Sequence, residues 1–300
     1  MSAGPAAKAG LNGQDVPEFG CTTAFGCRRD FSDNRFVYTV VSSRAGGLSV
    51  GVNMNPDKRC NFDCIYCEVN RAAPARESRL DVPVMVVELE RTLRSIQSGA
   101  IRQRPLYRDA RPELLELRHV ALSGDGEPTL CPNFIEAVEA IIHLRARGRF
   151  PFFKLVLITN ASGLDRAEVA RGLARFTRRD EVWAKLETGT QDGMNRVNRP
   201  MDCTLEKVVE NIQFLARQRP VTIQSLFPSV NKDPPLASEI EFYIRRLREL
   251  KEAGANIPLV QVYSATPVAP HADCGHLPLR TLSHIARRVR EAGGLAAEVF

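Results

Sequence analysis

Three cysteines within eight residues, Cys60, Cys64 and Cys67, constrain this chain more than any other feature. They lie in Lys58-Arg59-Cys60-Asn61-Phe62-Asp63-Cys64-Ile65-Tyr66-Cys67-Glu68, just after a short apolar run (residues 48–54) and the turn signal Asn55-Pro56-Asp57. Thiolates spaced Cx3Cx2C can converge on one face of a tight loop. There they ligate three corners of a four-iron, four-sulfur cluster and leave the fourth iron without a protein ligand. Structural zinc is the alternative use; it needs four ligands, and Cys131 or His119 could supply the last. Zinc knuckles usually come as two close ligand pairs, which speaks against it.

Around this stretch the chain alternates. Strand-like runs at residues 48–54, 119–122, 154–159, 182–186, 221–226 and 259–263 are β-branched and apolar. Helix-period segments at 84–97, 133–146, 166–176, 205–218, 236–253 and 279–292 fall between and after them. Six βα units of this kind imply an α/β fold with a parallel sheet, and residues 296–300 could add a terminal strand. Residues 36–41 also read as a strand. Residues 1–18, punctuated by Gly, Ala and Pro, read as a mobile tail. Residues 19–46 read as an N-terminal extension packing on the main domain, and 47–300 as that domain.

The remaining cysteines, Cys21, Cys27, Cys131, Cys203 and Cys274, sit in a chain with no signal-peptide or membrane-length apolar run, so a cytoplasmic setting with no membrane partner is expected. There, clustered cysteines point to metal or reactive thiols rather than a disulfide framework. The formal charge of +6 permits a nucleic acid, an anionic small substrate or an acidic electron donor as partner.

The strand ends carry the other motifs. The second strand runs into Ser123-Gly124-Asp125-Gly126-Glu127-Pro128-Thr129; the glycines allow close backbone approach, and the carboxylates can meet an ammonium group. An ordinary Gly-rich turn with a helix cap is the plainer reading. The third strand ends in Thr159-Asn160-Ala161-Ser162, whose polar groups can bond a ribose or cap a helix. On the fourth, Lys185 and Glu187 share one side of the strand, facing a lumen or forming a buried ion pair. Gln224 and Ser225 on the fifth, and Gln261 and Tyr263 on the sixth, are polar in apolar runs. Asn198-Arg199-Pro200 forms a basic loop.

With the aromatic Tyr66 just before the last cysteine, this combination resembles the radical S-adenosylmethionine (SAM) superfamily. The resemblance implies a radical SAM fold, a partial (β/α)6 TIM-type barrel open on one side. It implies a [4Fe-4S] cluster on Cys60, Cys64 and Cys67, with SAM chelating the open iron and losing a C–S bond when the cluster donates an electron. Cofactor-site residues carried over are Tyr66, Gly124, Asp125, Gly126, Glu127, Thr159 and Asn160, with Gln224 and Tyr263 lining the cavity. The runs CNFDCIYCE, SGDGEPT and AKLETGT are most similar to the wyosine-synthase-like group, named for tRNA 4-demethylwyosine synthase. That group carries a second cluster on widely spaced N-terminal cysteines and a Schiff-base lysine, whereas here only Cys21, Cys27 and Lys8 stand in that region.

The expectation is therefore a radical SAM enzyme that modifies a small-molecule substrate by forming a C–C or C–heteroatom bond, with Lys185 and Glu187 as catalytic candidates. Three alternatives stand beside it. One is aminocarboxypropyl transfer to a thiophilic substrate such as arsenite, captured by Cys27, whose neighbours Arg28 and Arg29 would lower a thiol pKa. The others are tRNA base modification and a non-enzymatic zinc-binding nucleic-acid protein. A flavodoxin- or ferredoxin-like electron donor is a further expectation of the family.

Overall fold

The structure is a computed structural model and describes residues 28–265 and 271–300. The expected tail, Cys21 and Cys27 lie outside the described residues. An eight-stranded sheet forms the frame, in the order β1 (Val37–Ser42), β2 (Gly47–Asn53), β3 (Leu117–Ser123), β4 (Lys154–Thr159), β5 (Glu181–Lys185), β6 (Val221–Leu226), then β8 (Val260–Tyr263) and β10 (Ala297–Val299). A separate two-stranded antiparallel ladder pairs β7 (Ser229–Val230) with β9 (Cys274–Gly275).

From β2 onward the main sheet is parallel, and β1 alone runs antiparallel, against β2. The helices are α1 (Val82–Gln97), α2 (Phe134–Ala146), α3 (Ala167–Leu173), α4 (Gln191–Val197), α5 (Leu205–Ala216), α6 (Ala237–Glu252) and α7 (Leu279–Gly293). Strands β2, β3, β4, β5, β6 and β8 each lead to a helix, the six units the alternation predicts. Five of the six expected helices stand alone in their connections. The β5 connection holds two, because the short α4, capped where Thr190 Oγ1 accepts from Gly193 N–H, precedes α5.

Alternation along the strands sorts residues onto two faces. Val120, Leu157, Ile223 and Val262 pack with Leu89, Ile141, Ile212 and Leu247 of the helices into one continuous core. The opposite, concave face carries Ser49, Asn53, His119, Ser123, Lys185, Gln224, Gln261 and Tyr263. Gln224 stands in register with both Lys185 and Gln261. Such polar groups are tolerated inside a sheet only when paired or facing a ligand.

The chain ahead of β2 is tied down from α1. The buried Glu88 carboxylate accepts the backbone N–H groups of Arg35, Phe36 and Val37 at 2.7, 2.9 and 3.2 Å. β1 thereby becomes an edge strand of the same sheet as the barrel, and the Tyr38 ring lies directly across Gly51, where a Cβ would come within 2.1 Å of it.

Candidate active site

The cysteine loop leaves the C-terminal end of β2, as chemistry in α/β sheets usually does. Its shape is set by the segment after α4. Ile65 N–H donates to Val197 O at 3.0 Å, Asp63 N–H to Asn198 O at 3.2 Å and Met201 N–H to Asn61 O at 2.9 Å, so residues 61–65 run antiparallel to 197–201. Arg71 donates to the carbonyls of Lys58 and Phe62, and Lys58 Nζ to those of Asn70 and Ala73. The backbone of the loop is thus fixed before any ligand arrives.

Cys60, Cys64 and Cys67 are half-buried free thiols on this loop. Among the described residues no three His, Cys, Asp or Glu side chains are gathered around one point. Neither His119 nor Cys131 completes a metal group: His119 bonds Ser49 at 2.8 Å, and Cys131 is buried in the helix-side core. Burial pushes the Cys64 thiol up to about 12, with the Glu187 carboxylate adding to the shift. A bound cation reverses that preference, because it pairs with the thiolate directly. Three soft sulfur donors, with no fourth protein ligand among the described residues, fit a [4Fe-4S] cluster with one open iron.

The SGDGEPT loop packs against this one. Glu127 N–H donates to Arg59 O at 3.0 Å, and a Cβ on Gly126 would stand 2.0 Å from that carbonyl oxygen. Gly124, at φ +134°, leaves no room for a side chain beside Asn53. The two carboxylates differ in their partners. Glu127 Oε1 accepts from Thr129 N–H, Thr129 Oγ1 and Thr159 Oγ1, and Oε2 accepts from Asn160 N–H at 2.7 Å. It braces the ends of β3 and β4 together. Asp125 has one partner on each oxygen, Arg29 at 2.8 Å and Asn53 at 2.7 Å, and so keeps unfilled acceptor sites. Asn160 reaches from β4 to the cysteine loop, donating to Asn61 Oδ1 at 3.0 Å.

Below the cysteines lies a connected network. Tyr66 O–H donates to Glu187 Oε1 at 2.7 Å, Lys185 Nζ pairs with the same oxygen at 2.9 Å, and Asn198 Nδ2 donates to Oε2 at 2.5 Å. Lys185 also donates to Tyr263 Oη at 3.2 Å and stands over the Tyr66 ring at 4.8 Å. Burial, the largest single influence, would lower the Lys185 pKa, but the charge and hydrogen bond of Glu187 together with Tyr263 and Cys64 outweigh it and hold the ammonium protonated. Gln224 donates to Gln261 at 2.8 Å. The structure thus joins Tyr66, Lys185, Glu187 and Tyr263, and it adds Asn198, which the sequence showed only as part of a basic loop. Ser225 points the other way, bonding Leu186 O and Tyr243 on the helix side. Cys274 packs near Tyr66 and Tyr263, while Cys203 is remote from them, bonding the neighbouring Thr204 carbonyl.

The family model described as the radical SAM superfamily matches residues 54–238. A UPF0026 protein of Helicobacter pylori is 28% identical over 180 residues, 59% of this chain and 50% of that protein. A UPF0026 protein of Methanocaldococcus jannaschii is 27% identical over 173 residues, 57% of this chain and 47% of that protein. The chain spans about half the length of these relatives. Streptococcus suis SuiB bound to S-adenosylmethionine superposes with a TM-score of 0.56 at 16% identity, covering 82% of this chain and 49% of that one. TYW1 with a lysine-pyruvate adduct bound gives a TM-score of 0.53 at 18% identity, covering 84% and 74%. These two likenesses bear on the fold.

Proposed function

This chain belongs to the radical SAM superfamily, and from that premise we propose that it cleaves SAM reductively to modify a small molecule held on the concave face of its sheet. The superfamily is one of enzymes using a [4Fe-4S] cluster and SAM, so the reading of this chain as a non-enzymatic zinc protein falls. A reductant and a substrate are general needs of such enzymes. Among the described residues no helix is long and apolar enough to cross a membrane.

The observation that carries the proposal is the buried polar network of Lys185, Glu187, Gln224, Gln261 and Tyr263 beneath the cysteine loop. It lies on the concave face of the sheet and is largely buried, a placement that suits a small substrate rather than the surface of a folded RNA.

Cys60, Cys64 and Cys67 are the cluster ligands in this reading. When bound, the cluster supplies the electron that breaks a carbon–sulfur bond of SAM. Asp125, with its unfilled acceptor sites, holds the SAM ammonium; Glu127 fixes the loop. Gly124 and Gly126 let that loop close on residues 53–59, and Thr159 and Asn160 stand where β4 can reach the ribose. Lys185, held as the ammonium, and Glu187 orient the substrate by charge and hydrogen bonding. A flavodoxin- or ferredoxin-like donor suits the basic balance of the chain, and its six described free thiols suit a reducing compartment such as the cytoplasm.

Anaerobic reconstitution followed by incubation with SAM and dithionite tests this. The expected product is 5′-deoxyadenosine, lost on replacing Cys60, Cys64 or Cys67 by Ala. Methylthioadenosine instead would assign cleavage of another C–S bond and aminocarboxypropyl transfer. Undiminished turnover without the cysteines would refute the site.

A further inference from the structure

Arg44 crosses the concave face of the sheet. It starts in the turn between β1 and β2, at the strand end opposite the cysteine loop, yet its guanidinium lies 4.2 Å from the ring centroid of Tyr263. β1 is one edge of the curled sheet and β8 is next to the other edge. The contact therefore spans the lumen, below the place where Lys185 meets Tyr263.

The other cations of this face are matched. Lys185 pairs with Glu187, Lys154 with Glu181 and Arg29 with Asp125. Arg44 is half-buried and has no ion pair and no hydrogen bond among the described residues; its one contact of this kind is the Tyr263 ring. Glu298, in register with Gln261, is solvent-exposed and in no ion pair among the described residues. A guanidinium lying over an aromatic ring can keep N–H donors free for a bidentate oxyanion, and a partly buried, unmatched charge favours a counter-anion. The Nδ1 of the buried His119, on the same face, is also without a hydrogen-bond partner.

We propose that the substrate is a small carboxylate, anchored in the lumen by Arg44 and read along its length by Gln224, Gln261 and Tyr263. One unmatched positive charge calls for a monoanion; a phosphate dianion would leave a charge over. Tyr263 stands at the same strand ends as the SAM loops, so competition between carboxylate and SAM is the arm of the titration that separates SAM from the proposed occupant. The inference rests on the small-molecule reading above and names the class of that molecule.

The chain has a single tryptophan, Trp183, on the same face, edge-on to His119 at a centroid distance of 5.2 Å. Its fluorescence can report occupancy of the lumen. The reconstituted protein is titrated with the monocarboxylates acetate and propionate, inorganic phosphate and neutral acetamide at constant ionic strength, with and without SAM. The proposal expects a saturable response to the carboxylates that survives saturation with SAM, and none to acetamide. Arg44→Gln should weaken it roughly tenfold or more, and Arg44→Lys should retain part of it. Near-ultraviolet dichroism checks that each variant is folded, and if Arg44→Gln is not, Arg44→Met takes its place.

No saturable carboxylate response, equal affinity in the charge-neutral variant, competition by SAM, or tighter binding of phosphate would each overturn the proposal. Formation of 5′-deoxyadenosine by the wild-type protein is scored separately. If SAM is cleaved and no carboxylate binds, this inference alone fails.

Discussion

The side-chain nitrogen of Asn198 stands 3.7 Å from the sulfur of Cys64. The same amide donates to Glu187 and lies 3.2 Å from Tyr66 Oη. One residue outside the cysteine loop therefore couples a cluster ligand to the charged pair in the lumen. Hydrogen bonds to the sulfurs are among the factors that set an iron–sulfur potential. An N–H directed at a thiolate favours the more negative, reduced state.

Asn198→Leu should thus lower the cluster midpoint. A donated bond worth about 1 kcal/mol corresponds to about 40 mV for one electron. A redox titration followed by electron paramagnetic resonance measures it. An unchanged or raised midpoint in a folded, fully loaded variant would show that Asn198 serves the Glu187 network alone.

His119 gives a pH signature independent of the cluster. Burial, reinforced by Lys154 and Arg44, lowers its pKa from 6.5 to about 3. A base with a depressed folded value binds fewer protons when folded than when unfolded. Its contribution is whole above pH 6.5 and is lost as the pH falls toward 3, at about 1.4 kcal/mol per pH unit. Between pH 6.5 and 5 the wild type should lose about 2 kcal/mol more than His119→Gln. Denaturant midpoints of the two proteins at both pH values test this, and parallel profiles would contradict it.

The contact between the two rim loops is similarly exposed to test. With Arg59 O only 2.0 Å from where a Gly126 Cβ would sit, Gly126→Ala must push the loops apart. Overpacking of this kind costs about 1–3 kcal/mol, and the displaced loop should weaken SAM binding about tenfold or more. Equilibrium dialysis with SAM on the reconstituted variant reads the effect directly; unaltered affinity would remove this loop from the SAM site.

Much of this was legible in the residues. The cysteine spacing, the glycine loop and the strand ends follow from local chemistry, which a sequence displays. The role of Asn198 does not: it depends on residues 197–201 pairing with 61–65, a contact across more than a hundred positions. Helix α4 escaped the periodicity because seven residues with Gly193 among them carry too little apolar pattern. β1 was visible as a strand, but its antiparallel place beside β2 depends on Glu88 gathering three backbone donors. Arg44 was not visible at all, since a long side chain leaving a turn gives no sign of crossing a lumen.

The pair of Lys185 and Glu187 separates stability from function. Glu187 is almost fully buried, and its removal alone leaves the Lys185 ammonium without its partner, so Glu187→Gln should destabilise by about 3 kcal/mol. Replacing both charges with apolar groups of similar volume, Lys185→Met with Glu187→Leu, removes the desolvation cost along with the attraction and should restore most of that loss. If the pair only stabilised the barrel, the double variant would recover activity together with stability. If it orients substrate, the double variant melts near the wild type while turnover of substrate stays low. Calorimetry and product assay on the same three proteins distinguish the outcomes, and a stable, fully active double variant would take both residues out of the reaction.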